Sequence, residues 1–172
     1  KERLLIVDGV SKTYSMTGWR IGWTIGNAEV IAAINKLQGQ STTNPAAVSQ
    51  AAAQVALDSR QDDVDEMRAA FEKRRNRMVE GLNAIDGVEC RKPEGAFYAF
   101  PSLHGLLGKS DGDRKVTTDL ELCDYLLDSV GMALVPGTAF GAPGYARISY
   151  AASMDQIEDG LKRLADAASR LS

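Results

Sequence analysis

The sequence is poor in the residues that do most metal and redox work in proteins. Of its 172 residues, one is histidine and two are cysteine. His104 has no second histidine with which to complete a ligand set, and it falls in a loop-like stretch, so it reads as a surface side chain. Cys90 and Cys123 are not at metal-ligand spacing, and a lone pair in a chain of this size reads as free thiols in a reducing compartment. No apolar stretch approaches the length of a membrane span, and no signal-peptide pattern opens the sequence. Neither charge sign dominates: a net charge of −3 gives no electrostatic reason to expect nucleic acid or an acidic membrane as partner. Internal repeats and low-complexity tracts are missing as well. These absences point to a soluble, cytoplasmic protein without a metal. What remains is 44% hydrophobic and 25% charged, the make-up of a globular chain long enough for one domain, or for a small domain with an appendage.

Periodicity organises the chain into two parts. Leu4-Leu5-Ile6-Val7 and Ile21-Gly22-Trp23-Thr24-Ile25 barely alternate, which predicts two strands buried on both faces. Asn27 is placed to cap a short helix through Val30, Ile31, Ile34 and Leu37, followed by a polar loop from Gln38 to Thr43. Asn44-Pro45 then supplies an N-cap and a first-turn proline for an Ala-rich helix to about Leu57. A long helix is expected from about Asp62 to Ile85, with Val64, Met67, Phe71, Met78 and Leu82 as its apolar stripe and Gly87 ending it. Its basic residues, Arg68, Lys73, Arg74, Arg75 and Arg77, are interleaved with acids and read as a solvated face, not a nucleic-acid patch.

Beyond Gly87 the pattern becomes strand, strand, helix, strand, strand, helix. The short strands are Val88–Cys90, Ala96–Phe100, Met132–Val135 and Ala146–Tyr150. Thr118-x-x-Glu121 and Ser153-x-x-Gln156 are capping boxes that open the two helices. The Gly-rich stretch from Gly105 to Lys115 is expected to be a mobile loop.

The chemistry centres on Gly9-Val10-Ser11-Lys12-Thr13-Tyr14-Ser15-Met16-Thr17-Gly18-Trp19-Arg20-Ile21-Gly22. Lys12 follows an apolar run, where an amine can be held in place to condense with an aldehyde. Arg20 opens the next apolar run, and a guanidinium grips a phosphate with two parallel hydrogen bonds. Pyridoxal 5′-phosphate (PLP) is an aldehyde that carries a phosphate, and needs both groups. An ordinary surface Lys and Arg flanking a turn is the competing reading of that pair alone.

The whole run resembles the lysine-attachment signature of the class I aminotransferases, members of PLP fold type I. Gly9, Val10, Ser11, Lys12, Ser15, Met16, Gly18, Arg20, Ile21 and Gly22 all fit it. Two later segments extend the likeness. Val135-Pro136-Gly137 precedes Gly144-Tyr145-Ala146-Arg147-Ile148-Ser149, similar to the Pro-Gly turn and strand whose arginine binds the substrate α-carboxylate, so Arg147 takes that role. Glu94-Gly95-Ala96-Phe97-Tyr98 resembles the Gly-x-Phe strand, which makes Phe97 a candidate pocket wall or, equally, a core aromatic. Gln38 to Pro45 is similar to a segment that reaches the neighbouring subunit in dimeric relatives. One branch of the aspartate enzymes places an arginine near there for the distal carboxylate. This chain has no arginine between Arg20 and Arg60 and so resembles the other branch.

The resemblance implies an α/β fold, the C-terminal part of a PLP-dependent transferase. Residues 1–60 would be the end of the large PLP-binding domain, 61–75 part of a long interdomain helix, and 76–172 the small C-terminal α/β domain. Family chains are more than twice as long, so the sequence is expected to be a fragment, with little activity alone. Within that family Lys12 binds the cofactor aldehyde and, once freed, moves the proton at the substrate Cα. Arg20 neutralises the phosphate. Ser11 touches the phosphate too, although in part of the family that hydroxyl stands three residues before the lysine, where this chain has Gly9. An amino acid and a 2-oxo acid are the implied substrates and a homodimer the implied assembly. Aspartate is the first expected donor, with prephenate, aromatic and broad-range activities open. A PLP-sensing regulator domain, a fold-type I carbon–sulfur lyase and a chemically silent folded segment are the alternatives.

Overall fold

The computed structural model describes residues 3–172; Lys1 and Glu2, which open the sequence, lie outside the described residues. The chain forms two compact units, one running to Glu66 and the other spanning Met67–Ser172.

In the first unit β1 (Ile6–Gly9) and β2 (Gly22–Ile25) pair antiparallel, with Ile6 opposite Ile25 and Gly9 opposite Gly22. The glycines close the ladder by approach: a Cβ on Gly9 would stand 2.8 Å from the Ile21 carbonyl oxygen, and one on Gly22 would stand 3.0 Å from the Asp8 carbonyl oxygen. β2 falls where expected and β1 starts two residues later than Leu4, but neither strand is buried on both faces. Leu4, Leu5, Ile6 and Val7 are 56%, 44%, 47% and 76% exposed, because no described element covers them. The buried residues here are Val10, Ile21, Ala53 and Ser49, with Tyr14, Met16 and Trp23 packed around the apolar three.

Asn27 does cap α1 (Ala28–Ser41), its side chain accepting from the Glu29 N–H at 2.9 Å. The helix runs on to Ser41, over the first part of the stretch expected as loop, since glutamines propagate a helix well and one interior Gly39 does not stop it. The next helix, α2 (Ala47–Asp58), starts two residues later than Asn44-Pro45 suggested. Its N-cap is Ala46, with no side-chain cap, while the Pro45 carbonyl is held by the side chains of Asn44 and Gln50 at 3.0 and 2.8 Å. Then α3 (Asp62–Asn83) carries the expected stripe, with Met78 and Leu82 buried.

The second unit has a continuous core. β3 (Tyr98–Ala99), β6 (Val135–Pro136) and β7 (Ala146–Ser149) form an antiparallel sheet in the order β3-β7-β6. Strands are shorter than the sequence suggested, and Val88–Cys90 is reduced to a single bridge from Glu89 to Ser102. Helices α4 (Asp119–Val130) and α5 (Met154–Arg170) open with the two capping boxes, both complete. Leu122, Leu126, Ile157, Leu161 and Leu164 point into the core.

The stretch expected to be a loop holds regular structure. A 3-10 turn at His104–Leu106 is followed by a hairpin of β4 (Ser110–Asp111) and β5 (Arg114–Lys115). Ser110 exchanges backbone hydrogen bonds with Ser172 at 2.9 and 3.0 Å, and the Tyr125 hydroxyl donates to Asp111 at 2.8 Å. These ties come from far along the chain, where local sequence gives no sign of them.

Candidate active site

The first group of candidates sits in the loop between β1 and β2. Val10, fully buried, and Ile21 anchor the two ends of this loop, while Lys12 and Arg20 stand exposed and Ser11 is half-buried. Inside the loop, Tyr14 N–H donates to the Val10 carbonyl at 3.3 Å and Ser15 N–H to the Lys12 carbonyl at 3.2 Å, so Lys12 lies in a closed turn. The Tyr14 hydroxyl reaches Gln61 at 3.0 Å and ties that turn to the start of α3. Met16 then leads into a 3-10 turn at Thr17–Trp19, which ends on Arg20.

Two non-glycine residues here are left-handed, Ser15 at φ 53° and Arg20 at φ 55°. Such a backbone costs about 1–2 kcal/mol per residue, and in this loop it turns the chain so that Arg20 leaves the 3-10 turn beside the base of β2. The guanidinium donates to the Thr17 carbonyl at 3.0 Å. A lysine amine, a guanidinium and a hydroxyl on one anchored loop form a donor set that fits an aldehyde and a phosphate, which is what PLP presents.

The second group lies on the small sheet. Arg147 is on β7, the central strand, opposite Val135 of β6. Its guanidinium carbon stands 4.4 Å from the Tyr98 ring centroid and 4.9 Å from that of Phe140. Tyr98 pairs with Ser149, so it is the diagonal neighbour of Arg147 across the β3–β7 ladder. Among the described residues, no hydrogen bond or ion pair occupies the Arg147 N–H donors. Both rings lie within cation–π range of the guanidinium, whose N–H donors have the geometry to pair with a carboxylate. Phe140 is placed by the 3-10 turn Gly137–Phe140, which follows β6 directly. Gly137 is required there because a Cβ would collide with the Ala142 carbonyl oxygen.

Phe97 is half-buried, its ring 6.4 Å from Phe71 and 4.3 Å from Tyr98, at the rim of the core. Composition and motif spacing did not single out Tyr98, Phe140 or Asp119. The first two could have been found only from the register of β3 on β7 and the path of the turn after β6. Asp119 looked like an ordinary acid in the first turn of α4, yet it is 2% exposed and accepts the Thr138 N–H and hydroxyl, each at 2.7 Å. Burial pushes its carboxyl up, but the bonds from Thr138 and Gly144 outweigh that, so it is held below the usual carboxylate range.

Both thiols are free and buried; burial, with Asp119 and Asp124 nearby, raises Cys123 to about 11. No group of His, Cys, Asp and Glu among the described residues could hold a metal ion. No helix of the described residues is long and apolar enough to cross a membrane.

Known proteins resemble this chain along its whole length. The family model described as aminotransferase class I and II matches residues 1–166. The aspartate aminotransferase of Rhizobium meliloti strain 1021 is 48% identical over 100% of this chain and 42% of its own length. The aspartate/prephenate aminotransferase of Nitrosomonas europaea is 41% identical over 96% of this chain and 42% of its own. A crystal structure of a Rhizobium meliloti aspartate aminotransferase, 48% identical, superposes with a TM-score of 0.98 over 100% of this chain and 43% of that one. The chain thus spans less than half the length of these relatives. The chain belongs to the class I and II aminotransferase family, and its α/β architecture is that of the PLP-dependent aspartate aminotransferases.

Proposed function

We propose that this chain supplies the lysine and the two arginines of a PLP-dependent aminotransferase, which moves an amino group from an amino acid to a 2-oxo acid. One observation carries the reading. Lys12 and Arg20 stand exposed on a single loop whose ends, Val10 and Ile21, are buried and whose base is a glycine-closed ladder. Pyridoxal phosphate, when bound, supplies the aldehyde that carries the amino group and a ring that takes up electron density. Lys12 would hold that aldehyde, and its amine would be the group that moves the proton at the substrate Cα. Arg20 would neutralise the phosphate, and the Ser11 hydroxyl would add a hydrogen bond to it.

Arg147, held between the Tyr98 and Phe140 rings, grips the α-carboxylate through its N–H donors, which fixes the substrate for proton transfer. Phe97, half-buried beside Tyr98, is the proposed aromatic wall for the same substrate. Aspartate is the proposed donor, in keeping with the names of the relatives, and a homodimer in the cytoplasm the proposed working form. The proposed domain division is a large-domain end to residue 60, a linking helix segment to 75 and a small domain to 172.

The test is borohydride reduction of the full-length, PLP-loaded enzyme followed by peptide mapping. The cofactor is expected on the peptide bearing Lys12, and Lys12→Ala is expected to abolish both the adduct and aspartate turnover. An adduct on another lysine overturns the assignment. The 172 residues alone are expected to show little turnover of aspartate and 2-oxoglutarate; steady turnover by them would overturn that part of the reading.

A further inference from the structure

Among the described residues Asp119 is the one charged side chain that is buried. A carboxylate out of water costs several kcal/mol unless its oxygens are bonded, about the cost of a large core defect. Asp119 is fully bonded, but not mainly to its own helix. Its Oδ2 accepts the Thr138 N–H and its Oδ1 the Thr138 hydroxyl, 19 residues along the chain. Thr138 is the second residue of the 3-10 turn that starts at Gly137, and the N–H groups at such a start have no partner within the turn. The cap position is Pro136, which makes no side-chain hydrogen bond. Asp119 provides from α4 the acceptor that the turn itself lacks.

What this turn carries gives the bond its consequence. Before it, Val135 pairs with Arg147; at its end, the Phe140 ring stands 4.9 Å from the Arg147 guanidinium carbon. The turn is closed by Gly141 N–H to the Thr138 carbonyl at 3.1 Å and Ala142 N–H to the Gly137 carbonyl at 3.0 Å. The turn thus moves as one closed piece, and releasing Thr138 from α4 lets Phe140, one of the two rings that hold Arg147, shift with it.

We propose that Asp119 is a positioning residue for substrate carboxylate binding: through Thr138 it fixes the turn that holds Phe140 against Arg147. The inference rests on the reading of Arg147 as the carboxylate-binding group. An acid whose only role is to favour the start of α4 would act without Thr138, which lies outside that helix. The pair separates the two roles.

The experiment uses full-length, PLP-loaded enzyme and succinate, a dicarboxylate with no amino group to transfer, titrated by calorimetry. Loss of a hydrogen bond to a charged group predicts that Asp119→Ala weakens succinate binding about tenfold, and Thr138→Val a few-fold in the same direction. The double variant should be no weaker than Asp119→Ala alone, and Asp119→Asn should recover most of the affinity. Aspartate KM should rise in step with the succinate Kd while kcat and PLP affinity hold. Thr138 is exposed, so Thr138→Val keeps the test alive if Asp119→Ala does not fold. Unchanged succinate affinity in Thr138→Val, or additive effects in the double variant, overturns the proposal. Arg147→Ala distinguishes the two layers. If it binds succinate normally, the Arg147 reading fails and this inference with it; if it alone weakens binding, only the role of Asp119 fails.

Discussion

The stretch from Arg3 to Glu66 and the stretch from Met67 to Ser172 treat their apolar side chains in opposite ways. In the second, Leu82, Leu103, Leu122, Leu126 and Leu164 are fully buried in one continuous cluster. In the first, the most apolar run of the sequence, Leu4 to Val7, faces solvent, and the buried apolar set is Val10, Ile21 and Ala53. A hydrophobic pattern states what a strand would bury, not what is there to cover it. The consequence for function is uneven. Arg147 stands on a finished core, whereas the Lys12 loop stands on a ladder held by a small cluster.

The largest expected effect is in hydrogen exchange of the isolated chain. Amides of β7 and α4 should open only with global unfolding, while those of β1 and β2 open locally, so their protection should differ by about three orders of magnitude. Equal protection would break the comparison. Next comes mutation of the two apolar sets. Leu126→Ala should cost about 2–5 kcal/mol in urea unfolding. Val7→Ala, at 76% exposure, should change stability by no more than about 0.5 kcal/mol. A large loss at Val7 would mean that β1 is covered in solution.

Two glycines sharpen the same contrast. In the second unit Gly137→Ala drives a methyl into the Ala142 carbonyl and should cost about 1–3 kcal/mol, with Arg147-dependent carboxylate binding falling too. In the first, Gly39 sits inside α1 with nothing within 4 Å of a Cβ. Gly39→Ala should therefore stabilise α1 by about 0.5–1 kcal/mol, read as a rise in helical signal and midpoint.

What could be read from sequence was local. The Asn27 cap, the two capping boxes and the stripe of α3 depend on residues within a turn of one another, and the structure has them where the pattern put them. The Lys12 loop was legible for the same reason, since Ser11, Lys12 and Arg20 share one short connection. Non-local structure was not legible. The 110–115 hairpin depends on Ser172 and Tyr125, the diagonal of Tyr98 to Arg147 depends on strand register, and the burial of Asp119 depends on a turn far along the chain. The start of α2 was misplaced because Asn44-Pro45 has cap chemistry, but its hydrogen bonds go to the Pro45 carbonyl instead.

The smallest expected effect tests the second unit by acid. Burial raises the Asp119 carboxyl, but the donors of Thr138 and Gly144 overcome this and hold it below its ordinary value. A group whose pKa is lower folded than unfolded contributes stability above its unfolded pKa, about 3.9 for Asp, and loses it as pH falls through the lower, folded value. The bond from Asp119 to Thr138 should thus be intact at neutral pH and fail only in strong acid. Asp119→Asn keeps an acceptor for the Thr138 N–H but has no proton to gain, so it should flatten the acid limb of a near-ultraviolet dichroism titration below about pH 4. Glu121 and Glu158 are lowered as well, the first by the Thr117 hydroxyl and N–H and the second by Arg77, but both are exposed. The share of the Glu158–Arg77 pair should shrink in high salt while those of Glu121 and Asp119, held by uncharged donors, persist, because screening acts between charges. An acid limb that vanishes in salt for the parent protein would assign it to surface ion pairing such as Arg77–Glu158 and leave Asp119 without a measurable part in it.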